Sequence, residues 1–128
     1  RGVSGIVTDG GFRDSAEIAE LHIPSYHHRP SAPTNLTLHQ AIAINEPIGC
    51  GGVAVFPGDI LVGDDDGVMV VPAGIADEVA NECLQMTLFE EFVMENVQNG
   101  RSIVGLYPLV DNNIAEEYGK WKVDKQGL

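Results

Sequence analysis

The chain has 128 residues, of which 44% are hydrophobic, so it is long enough to bury a sizeable core and too apolar to be disordered. Its 19 acidic and 7 basic side chains give a net charge of −12, which argues against direct binding of nucleic acid but not against binding a basic protein surface. No apolar run approaches membrane-spanning length, and the cysteines, Cys50 and Cys83, are predicted to be reduced, largely buried thiols of a cytoplasmic protein.

A turn near the start of the chain carries side chains suited to binding an anion and a metal ion. A buried strand is predicted from Gly2 to Thr8, and Asp9 ends it. Two glycines follow and permit a tight turn. A short amphipathic helix is then predicted from Asp14 to Leu21, with Asp14 or Ser15 as its N-cap.

Arg13 and Asp14 at this turn admit two interpretations. Arg13 carries a planar fork of donors suited to a carboxylate, and Asp14 offers a hard oxygen ligand suited to Mg²⁺ or Mn²⁺. The helix N-terminus adds a partial positive charge. In the other interpretation the two residues only cap a surface helix and form a weak ion pair.

The following segment is predicted to be a strand over 22–26 and a proline-containing loop over 27–34. It contains His27 and His28, which point to opposite faces if extended and therefore do not easily share one metal ion. Both are interpreted as surface or interface residues, although histidine also serves as a ligand or proton carrier. Arg29 is a candidate second contact for an anion at a subunit boundary.

The middle of the chain reads as a series of short strands and turns. Segment 38–48 has mixed character, with a strand suggested by the alternation over 41–45. A turn or bulge is predicted at 49–52, a tight turn at 57–59 and a hairpin turn at 64–67, where Asp66-Gly67 is expected to supply left-handed angles; strands are predicted at 53–56, 60–63 and 68–71. The three aspartates of the last turn do not follow the EF-hand spacing and are interpreted as a solvated acidic turn rather than a calcium site.

The longest periodic segment, Ala73 to Gln98, predicts a helix that ends at Asn99-Gly100. Its wide apolar stripe includes Met86 and Met94 as packing residues and suggests burial against the sheet and a neighbour. Its glutamates at 90, 91 and 95 are interpreted as a solvated face. An extended piece over 101–108, a last helix over 114–122 and a frayed tail over 123–128 complete the prediction. The element order predicts an α/β or α+β layered domain with a mixed sheet.

Two blocks of this sequence resemble the RraA-like family, which contains class II 4-hydroxy-4-methyl-2-oxoglutarate/4-carboxy-4-hydroxy-2-oxoadipate aldolases and protein regulators of ribonuclease E activity. The first block is Asp-Gly-x-x-Arg-Asp-x-x-Glu over 9–17, and the second is the stretch over 57–72. The resemblance covers about residues 2–99. It implies a swivelling β/β/α sandwich with a C-terminal long helix, assembled as a trimer or a dimer of trimers with active sites between subunits.

The resemblance also implies an activity and a cofactor. The reaction is retro-aldol cleavage of a 4-hydroxy-2-oxo diacid to pyruvate with Mg²⁺ or Mn²⁺, and oxaloacetate decarboxylation would follow from the same chemistry. Asp14 would bind the metal, Glu17 would hold a metal-bound water, and Arg13 would bind the pyruvyl carboxylate or the developing enolate oxygen. Asp9 would order the turn or orient one of the residues that bind the metal.

Family members carry a substantial segment before the point at which this sequence begins. That segment supplies a glycine-containing loop for the substrate carboxylate, so residues 1–128 are expected to be the C-terminal portion of one RraA-like domain. The alternative function is a non-catalytic regulator that binds ribonuclease E or another protein through an acidic face. A swivelling domain of a larger enzyme is a third possibility.

Overall fold

A computed structural model describes residues 2–34, 39–109 and 111–127, and the backbone alone at Gln126. The chain divides into two compact units, Arg1–Ala76 and Asp77–Leu128. Among the described residues, the first unit contains eight strands and one short α-helix and the second contains two longer helices, so the protein is a mixed α/β chain.

The strands of the first unit are short and pair two by two. They are β1 (Ile6–Val7), β2 (Gly11–Phe12), β3 (Ser25–Tyr26), β4 (Arg29–Pro30), β5 (Ile48–Cys50), β6 (Val53–Val55), β7 (Ile60–Gly63) and β8 (Val68–Val71), with helix α1 (Ser15–Ala19) after β2. β1 pairs with β3 and β2 with β4 in parallel, whereas β5–β6 and β7–β8 are antiparallel hairpins. Both pairing senses of the predicted mixed sheet therefore occur, but in separate two-stranded sheets among the described residues.

The β7–β8 hairpin confirms the predicted turn at 64–67, whereas the turn or bulge predicted at 49–52 is limited to Gly51 and Gly52, because Gly49 and Cys50 belong to β5. Gly51 and Gly52 join β5 to β6 with φ values of 59° and 81°, a pair of left-handed angles that glycine adopts without strain. In the β7–β8 turn, an Asp64 carboxylate oxygen accepts from the backbone N–H groups of Asp66 and Gly67 at 2.9 and 3.2 Å. This acidic turn is exposed, as predicted, but Asp66 does not adopt the left-handed angles expected of it.

Several predictions for the first unit are wrong. The first strand is limited to β1, and Ile6 is 42% exposed rather than buried. Residues 41–45 form no strand, and Ile42 and Ile44 are more than 90% exposed, because the alternation there finds no neighbouring strand. Arg29 and Pro30 form a strand inside the predicted loop. Leu38, the first residue of the predicted mixed segment, lies outside the described residues.

The second unit consists of α2 (Ala76–Gln98) and α3 (Asn112–Gln126), and a turn of 3-10 helix (Ala73–Ile75) precedes it in the first unit. Its core is formed by four buried apolar residues, surrounded by partly buried aromatic rings of α2 and α3. The buried residues are Phe92, Val93, Leu106 and Ile114. The stop of α2 at Asn99-Gly100 is confirmed, and Gly100 has a φ of 89°.

The end of the chain departs from the prediction in two ways. Residues 101–108 form turns rather than an extended piece, and they bring Leu106 into the core with 1% exposure. α3 extends through Gln126, where a frayed tail was expected, because Gly127 ends it in the left-handed conformation. Asp111 caps its start by accepting from the Asn113 N–H at 2.8 Å. Leu128 lies outside the described residues.

The polar face of α2 and the cysteines also differ from expectation. Glu95 is not simply solvated, since it accepts hydrogen bonds from Trp121 and Lys125 of α3. Both cysteines are free, but Cys83 is exposed and Cys50 half-buried, so neither is the buried thiol that was predicted. Among the described residues, no helix is both long enough and apolar enough to cross a membrane.

Candidate functional site

Two hydrogen bonds hold the turn between β1 and β2, and Arg13 and Asp14 follow directly after β2. The Gly10 N–H donates to Thr8 Oγ1 at 3.0 Å, and the Gly10 carbonyl accepts from the His28 N–H at 2.9 Å. A Cβ added at Gly11 would lie 2.6 Å from the Ser31 Cβ, so this position requires glycine for the close approach of β2 to the chain after β4. A turn therefore follows β1 as predicted, but neither Gly10 nor Gly11 has a positive φ, and Gly11 is part of β2.

Asp14 adopts an unusual backbone conformation. Its φ and ψ are 58° and 37°, in the left-handed region that aspartate tolerates better than most residues. It occupies the N-cap position of α1 and its carbonyl accepts from the Ile18 N–H at 3.0 Å, but its side chain makes no capping hydrogen bond. Asp14 thus caps the helix only through its backbone carbonyl, and its carboxylate is available to a ligand.

Arg13 and Asp14 form an ion pair that faces solvent. Arg13 Nε lies 3.4 Å from Asp14 Oδ1, and the two side chains are 53% and 66% exposed. An exposed pair of this kind contributes little to stability. Since α1 has only five residues, its dipole adds little positive charge here, and Arg13 is the main attraction for an anion.

Asp9 connects this turn to the β5–β6 hairpin. Its Oδ2 accepts from the backbone N–H of Gly51, in the β5–β6 turn, at 3.1 Å. The sequence predicted that Asp9 orders the turn, but it did not identify Gly51 as its partner. The pattern Gly51-Gly52 is the only local signal, and it predicts a turn without indicating what the turn contacts.

His27 and His28 lie beside this turn. The His27 ring stacks on Phe12, the residue before Arg13, with 4.8 Å between ring centroids and 26° between planes. The Nδ1 atom of His27 is buried without a hydrogen-bond partner, whereas His28 is exposed. Arg29 is exposed in β4, where its backbone pairs with Gly11.

An open cleft of about 530 Å³ lies in the first unit next to the turn. Asp9 and both histidines line it, whereas Arg13, Asp14 and Glu17 do not. The remaining polar or reactive lining residues are Thr8, Ser25, Tyr26 and Cys50. The structure therefore brings Asp9, His27 and His28 together, and it places Arg13, Asp14 and Glu17 on the exposed side of the turn.

The oxygen donors of the turn fit a largely hydrated hard cation. In the described part of the chain, no three His, Cys, Asp or Glu residues are grouped to hold a metal ion. Mg²⁺, however, keeps several of its waters and is usually bound through one or two carboxylates. Asp14 and Glu17 are both exposed and three residues apart, so they fit this type of binding.

A family model, described as RraA-like: Aldolase/RraA, matches residues 1–70. The chain belongs to the RraA-like family. A protein of Halalkalibacterium halodurans whose provisional name is 4-hydroxy-4-methyl-2-oxoglutarate aldolase is 38% identical to the RraA-like chain over 81 residues, which are 61% of this chain and 37% of that protein.

Two solved structures resemble the RraA-like chain. One is an uncharacterized protein from Pseudomonas syringae pv. tomato, with a TM-score of 0.77, 25% identity and coverage of 83% of this chain and 53% of that one. The other is Streptomyces coelicolor RraAS2, described as an unusual member of the RNase ES inhibitor RraA protein family, with a TM-score of 0.57, 36% identity and coverage of 69% and 45%. The chain thus spans about a third to a half of the length of these relatives.

Proposed function

We propose that this RraA-like chain belongs to a divalent-metal-dependent aldolase that cleaves a 4-hydroxy-2-oxo diacid to pyruvate. The observation that carries the proposal is the exposed Arg13–Asp14 pair, in which the Asp14 carboxylate does not cap the helix that it precedes. Its similarity to a protein with a provisional aldolase name supports the same chemistry. The proposed setting is the family's β/β/α sandwich, with residues 1–128 as part of one domain in a cytoplasmic trimer or dimer of trimers.

Each residue of the turn has a distinct proposed role. Arg13 donates to the pyruvyl carboxylate or to the enolate oxygen, where a fixed cation faces growing negative charge. Asp14 binds Mg²⁺ or Mn²⁺, and Glu17 holds one of the water molecules around the ion. When bound, the ion supplies Lewis-acid stabilisation of the charge that develops as the C–C bond breaks. The same stabilisation serves oxaloacetate decarboxylation, which is the expected second activity.

The Arg13→Ala variant tests the proposal. Pyruvate release from 4-hydroxy-4-methyl-2-oxoglutarate and from oxaloacetate is measured with Mg²⁺ and with EDTA. The same assay is run on a chimera that carries the preceding segment of the Halalkalibacterium halodurans relative. We expect kcat/KM to fall by roughly a hundredfold or more in Arg13→Ala, as when a donor to a developing oxyanion is removed.

Two further variants control this test. Arg13→Lys keeps the charge but loses the two-pronged donor geometry, so an intermediate loss is expected. Lys120→Ala removes an exposed cation from α3 and should leave turnover unchanged. Unaltered pyruvate release in Arg13→Ala would contradict the proposed role of Arg13. Absence of metal-dependent release from both the chain and the chimera would contradict the aldolase proposal itself.

A second candidate function is a regulator of the RraA type that binds ribonuclease E or another protein. The net charge of −12 favours it, because an acidic surface attracts a basic partner, and so does the similarity to RraAS2. Calorimetric titration against ribonuclease E in EDTA, at low and high salt, distinguishes the two. Tight binding without metal that weakens with salt supports the regulator, and turnover without such binding supports the enzyme.

A further inference from the structure

We infer that the β5–β6 hairpin positions the Arg13–Asp14 turn, through the hydrogen bond from the Gly51 N–H to Asp9. In this arrangement Asp9 is a positioning residue and Gly51 supplies its anchor from 42 residues along the chain. The inference rests on the proposed function, since it concerns the geometry of the same site. It goes further by naming the second element on which that geometry depends.

The geometry of the hairpin leaves the Gly51 N–H available for this contact. The last pair of the β5–β6 ladder is Cys50 with Val53, so Gly51 and Gly52 are the two loop residues between them. Both have left-handed φ values, as in a type I′ turn. In such a turn the N–H of the first loop residue takes no part in the strand ladder and points outward. A carboxylate is a strong acceptor for it, because the hydrogen bond is charge-assisted.

In the described part of the chain, the backbone hydrogen bonds that the turn makes to distant residues come from the chain around β4. Gly10 and Phe12 are held by the chain around β4, since their carbonyls accept from the N–H groups of His28 and Ser31 at 2.9 and 2.7 Å. These contacts fix the backbone on the β4 side only. The Asp9–Gly51 hydrogen bond holds the turn from the hairpin side, and Arg13 follows Asp9 by only four residues. Loss of this bond should therefore shift the side chains of Arg13 and Asp14 without unfolding the unit.

The test compares Asp9→Ala with Asp9→Asn, in which a carboxamide oxygen still accepts a hydrogen bond. Backbone amide hydrogen exchange is measured at Gly51 and across residues 10–14, together with kcat and KM for pyruvate release. In Asp9→Ala we expect exchange at Gly51 to become roughly fivefold faster. We expect kcat to fall roughly tenfold with a smaller change in KM, because displaced catalytic groups lose rate first. In Asp9→Asn, the exchange rate at Gly51 and kcat should both stay close to their wild-type values.

A matched control is Asp64→Ala, which removes a carboxylate that accepts from turn amides in the β7–β8 hairpin. It should leave Gly51 exchange and kcat unchanged. Two results would overturn the inference. In the first, amide exchange at Gly51 is unchanged in Asp9→Ala. In the second, exchange at Gly51 is faster, but exchange over residues 10–14 and kcat are both unaltered. If neither the unsubstituted chain nor the chimera releases pyruvate, the proposed function fails. The exchange of residues 10–14 in Asp9→Ala then decides by itself whether Asp9 holds the turn.

Discussion

At the scale of single residues, the backbone of Asp14 is the most informative feature of the site. A non-glycine residue at φ 58° carries a conformational cost, and such residues cluster where function requires them. Aspartate and asparagine bear this cost best because their short polar side chains bond locally. At Asp14 that local capping bond is not made, so the conformation presents the carboxylate to solvent. This favours a ligand role over a purely structural one.

The pair of variants Asp14→Asn and Asp14→Val separates the two roles. Asparagine tolerates the left-handed conformation, so Asp14→Asn should change the free energy of unfolding by less than about 0.5 kcal/mol. Its affinity for Mn²⁺, measured by electron paramagnetic resonance, should nevertheless fall at least roughly tenfold because the anionic ligand is lost. Asp14→Val should destabilise the chain by about 1–2 kcal/mol, since a β-branched residue is strained there. Wild-type Mn²⁺ affinity in Asp14→Asn would contradict the metal role.

At the scale of elements, the Glu95 carboxylate of α2 bonds to two side chains of α3. The two oxygens of Glu95 accept from the Trp121 Nε1–H at 2.7 Å and from Lys125 Nζ, and Lys125 also lies 5.1 Å from the centre of the Trp121 ring. The pKa of Glu95 is lowered mainly by the hydrogen bond from Lys125 and next by the hydrogen bond from Trp121. The hydrogen bond between Lys125 and Glu95 also raises the pKa of Lys125. These contacts lie beside the aromatic cluster of Phe92, Tyr118 and Trp121.

A pH dependence follows from the lowered pKa of Glu95. A group whose pKa is depressed in the folded state stabilises it above its unfolded pKa, near 4.5, and loses that contribution as the pH falls through the folded value. The difference in thermal stability between the wild type and Glu95→Gln should thus be present at pH 7 and shrink below about pH 4.5. Trp121 is the single tryptophan, so its fluorescence reports the transition.

Glu90→Gln serves as the comparison for this experiment, since Glu90 is an exposed residue on the same helix. It corrects for the general effect of removing one of the 19 acidic side chains. Its stability difference from the wild type should be small and should follow a different pH course. A Glu95→Gln difference that persists unchanged at low pH would contradict the assigned cause.

At the scale of the whole molecule, apolar burial is unevenly distributed. All four described residues of the buried core belong to the second unit, whereas many large apolar side chains of the first unit are exposed. Val62 and Met69 illustrate this, because they face each other across the β7–β8 ladder and are 59% and 71% exposed. Exposed apolar pairs of this kind are typical of an interaction surface, and we expect the proposed trimer to cover them.

Sedimentation velocity tests this expectation. We expect a species of three times the 13.7 kDa chain mass, and association should strengthen with salt because chains of −12 charge repel each other. Met69→Lys should shift the distribution toward monomer, whereas Val104→Lys, at an 86% exposed position of the second unit, should not. A monomer at all salt concentrations, or equal effects of the two substitutions, would contradict the predicted use of this surface.

Local patterns were enough to predict the features that depend on near neighbours. The Arg13–Asp14 turn, the β7–β8 hairpin and the long helix with its stop at Asn99-Gly100 follow from turn chemistry and periodicity within a few residues. Only the tertiary structure decided which distant groups meet. The hydrogen bond from Gly51 to Asp9, the contacts of Glu95 with α3 and the burial of Leu106 each join residues that no local pattern pairs. The strand predicted over 41–45 failed for the same reason, because alternation forms a strand only where another strand is present to receive its hydrogen bonds.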